Sequence, residues 1–129
     1  MSVKNLILFV LVALAVITTG CRSNPVRDVI DAPVSTSQKA TLADVGKTIK
    51  QAGQGLGWGM REIKPGHIVA TIYLRKHMAK VDIKYTTKNY SITYKDSAEL
   101  AYDGTNIHKN YNSWVSNLDT RIQSMMAGM

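Results

Sequence analysis

"MAKVDIKYTTKNYSITYK", residues 78–95, alternates apolar and polar side chains with a period of two, interrupted by Thr86-Thr87-Lys88. In the first run Ala79, Val81, Ile83 and Tyr85 fall on one side, and Met78, Lys80, Asp82 and Lys84 on the other. In the second, Tyr90, Ile92 and Tyr94 alternate with Ser91, Thr93 and Lys95. Successive side chains of a strand point to opposite faces, so both runs predict strands with one dry face and one wet face. The connection is too short for a crossover, which predicts antiparallel pairing.

Moving outward, Ile68, Ala70, Ile72 and Leu74 give a third strand the same character. Lys64-Pro65-Gly66 separates it from an earlier extended run and predicts a hairpin. Downstream, Asp103-Gly104 supplies a turn. Ile107, Tyr111, Trp114, Val115, Leu118, Ile122 and Met125 then fall on one helical stripe, with Thr105 or Asn106 available as its cap. Leu42, Val45, Ile49 and Ala52 predict an earlier helix over about 42–52, with Thr41 and Asp44 as a capping box and Gly53 as its stop. The expected fold is α+β: an antiparallel meander of three to four strands, covered on one face by an N-terminal and a C-terminal helix.

"GQGLGWGM", residues 53–60, resembles a dinucleotide-binding loop only superficially. Trp58 stands where the third glycine of that pattern belongs, and no strand precedes it. It reads as a helix stop leading into an irregular first strand.

The 129 residues suit one domain, and an apolar fraction of 45% is enough for a packed core. Sixteen Lys and Arg against nine Asp and Glu give a formal charge of +7. The only cysteine, Cys21, has no internal disulfide partner. It follows Met1–Asn5, which carries Lys4, and an apolar run from Leu6 to Ile17. A positive start, a short apolar segment and small residues at its end predict an export signal over residues 1–20. The run is too short for a membrane span, which needs about 20 residues. A buried core helix is the alternative, but nothing caps its start.

Thr18-Thr19-Gly20-Cys21 resembles the lipobox of bacterial lipoproteins, with Thr18 where that family prefers leucine. The resemblance implies that the signal is removed and that Cys21 becomes the lipidated first residue. It also implies three acyl chains. Each buried methylene contributes about 0.8 kcal/mol, so several chains hold firmly where one is marginal. Arg22 follows the cysteine, where an aspartate would imply retention in the inner membrane. The resemblance therefore implies an outer-membrane protein facing the periplasm. Residues 21–40, with Pro25, Pro33 and Val34-Ser35-Thr36-Ser37-Gln38, are expected to form a lipidated cysteine and flexible tether. Such a tether would span roughly 20–25 Å. Residues 41–129 are the expected periplasmic domain. "YSITYKDS", "YDG" and "IHKNYNSWV" also resemble small lipoproteins of Gram-negative bacteria, a likeness that implies no activity.

The chemistry-bearing residues form no enzyme signature. There is no Gly-x-Ser-x-Gly, phosphate loop or His-Glu-x-x-His. Asp82, Asp96 and Asp103 are accounted for by strand faces or a turn. His67, His77 and His108 match no compact metal-ligand spacing, and His108 is expected as a packed rim residue. No catalytic residue, metal or cofactor is expected. Asn110, Tyr111, Asn112 and Trp114 suit a sugar or peptide site, but the helical stripe takes Tyr111 and Trp114 into the core. Lys80 and Lys84 share a strand face, Lys95 belongs to the corresponding face of the next strand, and Arg75 can join them. Together they form a candidate basic binding face; alternatively they are a solvated face that blocks aggregation. Nucleic acid does not suit the periplasm, so the expected partners are the membrane, through the lipid, and an anionic envelope component or envelope protein. The chain thus reads as a binding or accessory module of the outer membrane. The alternatives are an enzyme acting on an envelope polymer and a structural subunit of an envelope complex.

Overall fold

A computed structural model describes residues 23–129. The expected export signal over residues 1–20 and the expected lipidation site Cys21 lie outside the described residues. The fold is α+β, with a five-stranded antiparallel sheet, a two-stranded sheet and two helices. In chain order the elements are β1 (Ser23–Pro25), β2 (Val29–Pro33), α1 (Leu42–Gly55), β3 (Gly59–Lys64), β4 (His67–Leu74), β5 (His77–Tyr85), β6 (Asn89–Ala98), β7 (Asn106–His108) and α2 (Lys109–Ala127).

β3 to β6 form the expected meander, and β2 adds to its edge, giving the order β2-β6-β5-β4-β3. The alternation holds through Ile92: Ala79, Val81, Ile83, Tyr85, Tyr90 and Ile92 are all buried in the core, and Tyr94, next to an irregularity in β6, is half-buried. Register aligns them, with Ile68, Ile83 and Ile92 facing one another across three strands. The hairpins turn on residues of positive φ, one a glycine and one not. Gly66 does so at φ 89° between β3 and β4, and Arg75 at φ 56° between β4 and β5.

Both helices cover one face of this sheet. α1 contributes Val45, Ile49 and Ala52, and α2 contributes Tyr111, Val115, Leu118, Ile122 and Met126. The capping box of α1 forms as the sequence predicts: the Thr41 hydroxyl accepts from Asp44 N at 3.1 Å, and the Asp44 carboxylate accepts from Thr41 N at 3.0 Å. The second helix starts later than its stripe suggests. Ile107 belongs to β7, and the cap is His108, whose Nδ1 accepts from Asn110 N at 3.1 Å, not Thr105 or Asn106. Trp114 is only half-buried at the rim, its ring 6.4 Å from that of His77. The buried tryptophan is Trp58, which enters the core directly after α1.

The largest correction concerns the expected tether. Residues 23–33 are folded into the domain. β1 pairs with β7, Ser23 opposite His108 and Pro25 opposite Asn106. β2 pairs with β6, and Val29 joins the core. Between them, Val26 N donates to Thr105 O at 3.0 Å, and the Asn112 side chain clamps the chain from both sides. Its Oδ1 accepts from Arg27 N at 2.8 Å and its Nδ2 donates to Pro25 O at 2.9 Å. Among the described residues the folded domain therefore includes Ser23–Pro33 and does not start at residue 41.

Candidate functional site

The sheet face opposite the helices carries the candidate lysines. Lys80, Asp82 and Lys84 alternate with the buried Ala79, Val81 and Ile83, so they point away from the core. Val69, the cross-strand partner of both Arg61 and Asp82, is buried but lies outside the main core cluster. Long flanking side chains can cover such a residue with their apolar stems.

This face is less uniformly basic than alternation implies. Asp82 sits in its middle, 2.7 Å from His67 Nε2 and 3.7 Å from Lys95 Nζ. β6 also has a bulge opposite Lys80 and Val81, where Val81 pairs with Tyr94 but Lys80 pairs with Asp96. The extra residue, Lys95, resets the parity and places Asp96 beside Lys80. Lys80 and Lys95 thus each have a carboxylate near them. Arg75 occupies the β4–β5 turn, roughly 24 Å along the strand from Lys84, so the structure does not gather all four cations.

Lys84 has a different setting. Its cross-strand partners are His67 and Ser91, and it lines an open cleft of about 460 Å³ at the end of the sheet, where charged side chains sit beside Pro65 and Tyr85. Lys64 from the β3–β4 hairpin lines the same cleft, with His67 of β4 and Asn89 of β6. Asp31 is its one carboxylate. Asp31 has φ 52°, and its backbone N–H donates to Ser91 Oγ at 2.9 Å. Lys64 and Lys84 make no ion pair among the described residues. The sequence pattern marks Lys84 but neither Lys64 nor His67, because only the two adjoining hairpins bring them together.

Two of the remaining clefts among the described residues are lined by charged side chains near the ends of strands. One, of about 570 Å³, is lined by Tyr94, Asp96, Glu99 and Tyr102, with mixed charge around it. Tyr102 stacks on Tyr94 with ring centroids 4.0 Å apart, and His77 Nδ1 lies 2.6 Å from Glu99 O, holding the adjacent segment. The other, of about 370 Å³, lies between β1 and α2 and is lined by Arg27 and Lys109.

The remaining polar side chains have structural tasks. His108 caps α2, and Asn112 is occupied with backbone, which removes it from any sugar site. Tyr90 donates to Asp119 Oδ1 at 2.5 Å and accepts from Gln123 Nε2 at 2.7 Å, joining α2 to the sheet. Burial, reinforced by Asp119, raises its phenol above the ordinary range. Burial raises the Tyr111 phenol as well, and that hydroxyl has no hydrogen-bond partner among the described residues. No three His, Cys, Asp or Glu side chains among the described residues converge as metal ligands. Among the described residues no helix is long and apolar enough to cross a membrane. Comparison with protein-family models, curated proteins and solved structures finds no match to the chain.

Proposed function

We propose that this chain is a lipid-anchored protein of the outer membrane, held through Cys21 and facing the periplasm. Its folded domain acts as a binding or accessory module for an anionic envelope component. The lipobox resemblance of Thr18-Thr19-Gly20-Cys21 supports the anchor. The observation that carries the binding is the cleft at the end of the sheet, lined by both Lys64 and Lys84 together with His67. A phosphate or carboxylate there meets two ammonium groups against the single carboxylate of Asp31, with neutral hydrogen-bonding groups such as Asn89 beside them.

The test is co-sedimentation of residues 23–129 with purified anionic envelope polymer across a salt series. That span holds every described strand and helix and the whole core. Binding should weaken as salt rises, because surface charges are screened over roughly 8 Å at physiological ionic strength. K64E/K84E should lower affinity about tenfold or more, the equivalent of one charge-assisted hydrogen bond. K95E should change affinity far less, because Lys95 already lies beside Asp82. Wild-type protein that stays in the supernatant, or a K64E/K84E variant that binds like wild type, contradicts the reading.

A further inference from the structure

We infer that, in a chain anchored through Cys21, the cleft between β1 and α2 seats the phosphate of an anionic lipid headgroup, laying this face of the domain on the bilayer. The inference rests on the anchoring proposed above and adds the orientation of the domain. β1 begins at Ser23, two residues beyond Cys21. Two residues of extended chain reach roughly 7 Å, so the start of β1 stays at headgroup level. β1 is also not free to swing, because its pairing with β7 and the Asn112 clamp fix it to the domain. Whatever surface adjoins β1 therefore adjoins the membrane.

That surface has the right chemistry. Asn24 follows Ser23 and lines the cleft, together with Arg27, Lys109, Ser113 and Asn117. No carboxylate lines it. Arg27 and Lys109 are exposed and make no ion pair among the described residues. The nearest acid in sequence, Asp28, is turned to the sheet, where its Oδ1 accepts from Tyr94 N at 3.3 Å. A guanidinium and an ammonium with hydroxyl and amide groups between them match a phosphodiester. At about 370 Å³ the open cleft is large enough for that group and too polar for an acyl chain. The Lys84 cleft opens from the sheet layer, and the Arg27–Lys109 cleft is formed with α2 in the helix layer. One surface can therefore rest on lipid while the other remains available to a partner.

The experiment uses residues 23–129, which contain no cysteine, carried on vesicles by an N-terminal histidine tag and a nickel-chelating lipid. Fluorescent reporters are placed singly at Thr120→Cys, one turn beyond the cleft on α2, and at Tyr73→Cys on the exposed sheet face. A headgroup-level quencher reports which surface faces the bilayer. Two cations near an anionic leaflet should favour the cleft-down orientation about thirtyfold over one that keeps them away. On phosphatidylglycerol vesicles the Thr120 reporter should therefore be strongly quenched and the Tyr73 reporter spared. The difference should shrink on phosphatidylcholine and disappear in R27E/K109E, whose melting should match wild type because both positions are exposed. Equal quenching of the two reporters on anionic vesicles, or a difference that survives R27E/K109E, overturns the inference. The chelating lipid replaces the native anchor, so this readout judges the cleft independently of acylation at Cys21. Acylation is tested separately, on the native chain.

Discussion

Two tyrosines on the same core show how much a single hydroxyl's surroundings matter. Tyr90 and Tyr111 are both fully buried, yet the Tyr90 hydroxyl bridges Asp119 and Gln123 while that of Tyr111 has no partner among the described residues. Tyr90→Phe should cost about 1–3 kcal/mol, because it leaves partly buried polar groups unpaired. Tyr111→Phe should be neutral or slightly stabilising, because it deletes a desolvated hydroxyl and keeps the ring. Urea melts of the two variants check this, and a Tyr111→Phe loss as large as that of Tyr90→Phe would mean the hydroxyl has an undetected partner. The period-two pattern placed Tyr90 correctly and the helical stripe placed Tyr111, but neither pattern distinguishes a bonded hydroxyl from an orphaned one. Trp114 illustrates the same limit. Its spacing puts it on the stripe, but the stripe is wider than the sheet face it covers, and Trp114 falls at the edge beside His77. Trp58, placed among glycines and outside any periodic run, gave no such signal and is buried.

At the scale of elements, what the sequence reveals depends on how local the organising contacts are. The β3–β4 hairpin, the β5 and β6 strands and the Thr41–Asp44 cap depend on residues close in sequence, and all were legible. β2 was not. It has one buried apolar residue, Val29, a left-handed turn of backbone at Asp31 and a proline at its end, and its partner β6 is some 60 residues away. β1 is three residues long and is defined by pairing with β7. The bulge at Lys95 was hidden for the same reason, and with it the placement of Asp96 beside Lys80. The clamp that fixes β1 is a single side chain, Asn112. Asn112→Ala should loosen β1, which keeps its pairing with β7, with little effect on the rest of the core, since the two lost bonds are exposed and each contributes about 0.5–1.5 kcal/mol. Hydrogen exchange should show faster exchange at Val26 and Arg27 and unchanged protection in β4 and β5. Uniformly faster exchange would mean that β1 is integral to the global fold.

For the whole molecule, folding residues 23–33 into the domain changes what the proposed anchor would do. A tether would let the domain sample many orientations; under the proposed anchoring at Cys21, a domain folded from Ser23 onward would sit close to the membrane with one face towards it. The charge distribution fits this arrangement, with Arg27 and Lys109 beside β1 and Lys64 and Lys84 in a separate cleft formed by the sheet strands. The basic sheet face was legible in the sequence only as a set of lysines. Bulge and hairpin geometry divide that set into Lys80 and Lys95, each near a carboxylate, and Lys84, which lies in a cleft with Lys64. All of this depends on where the mature chain is attached. The most direct measurement is mass spectrometry of the N-terminal peptide of the native protein extracted from membranes. The account predicts a mature chain that begins at Cys21 and carries acyl groups, with Cys21→Ser releasing the protein from the membrane fraction. An unmodified Cys21 thiol, or an N-terminus at any other residue, contradicts it.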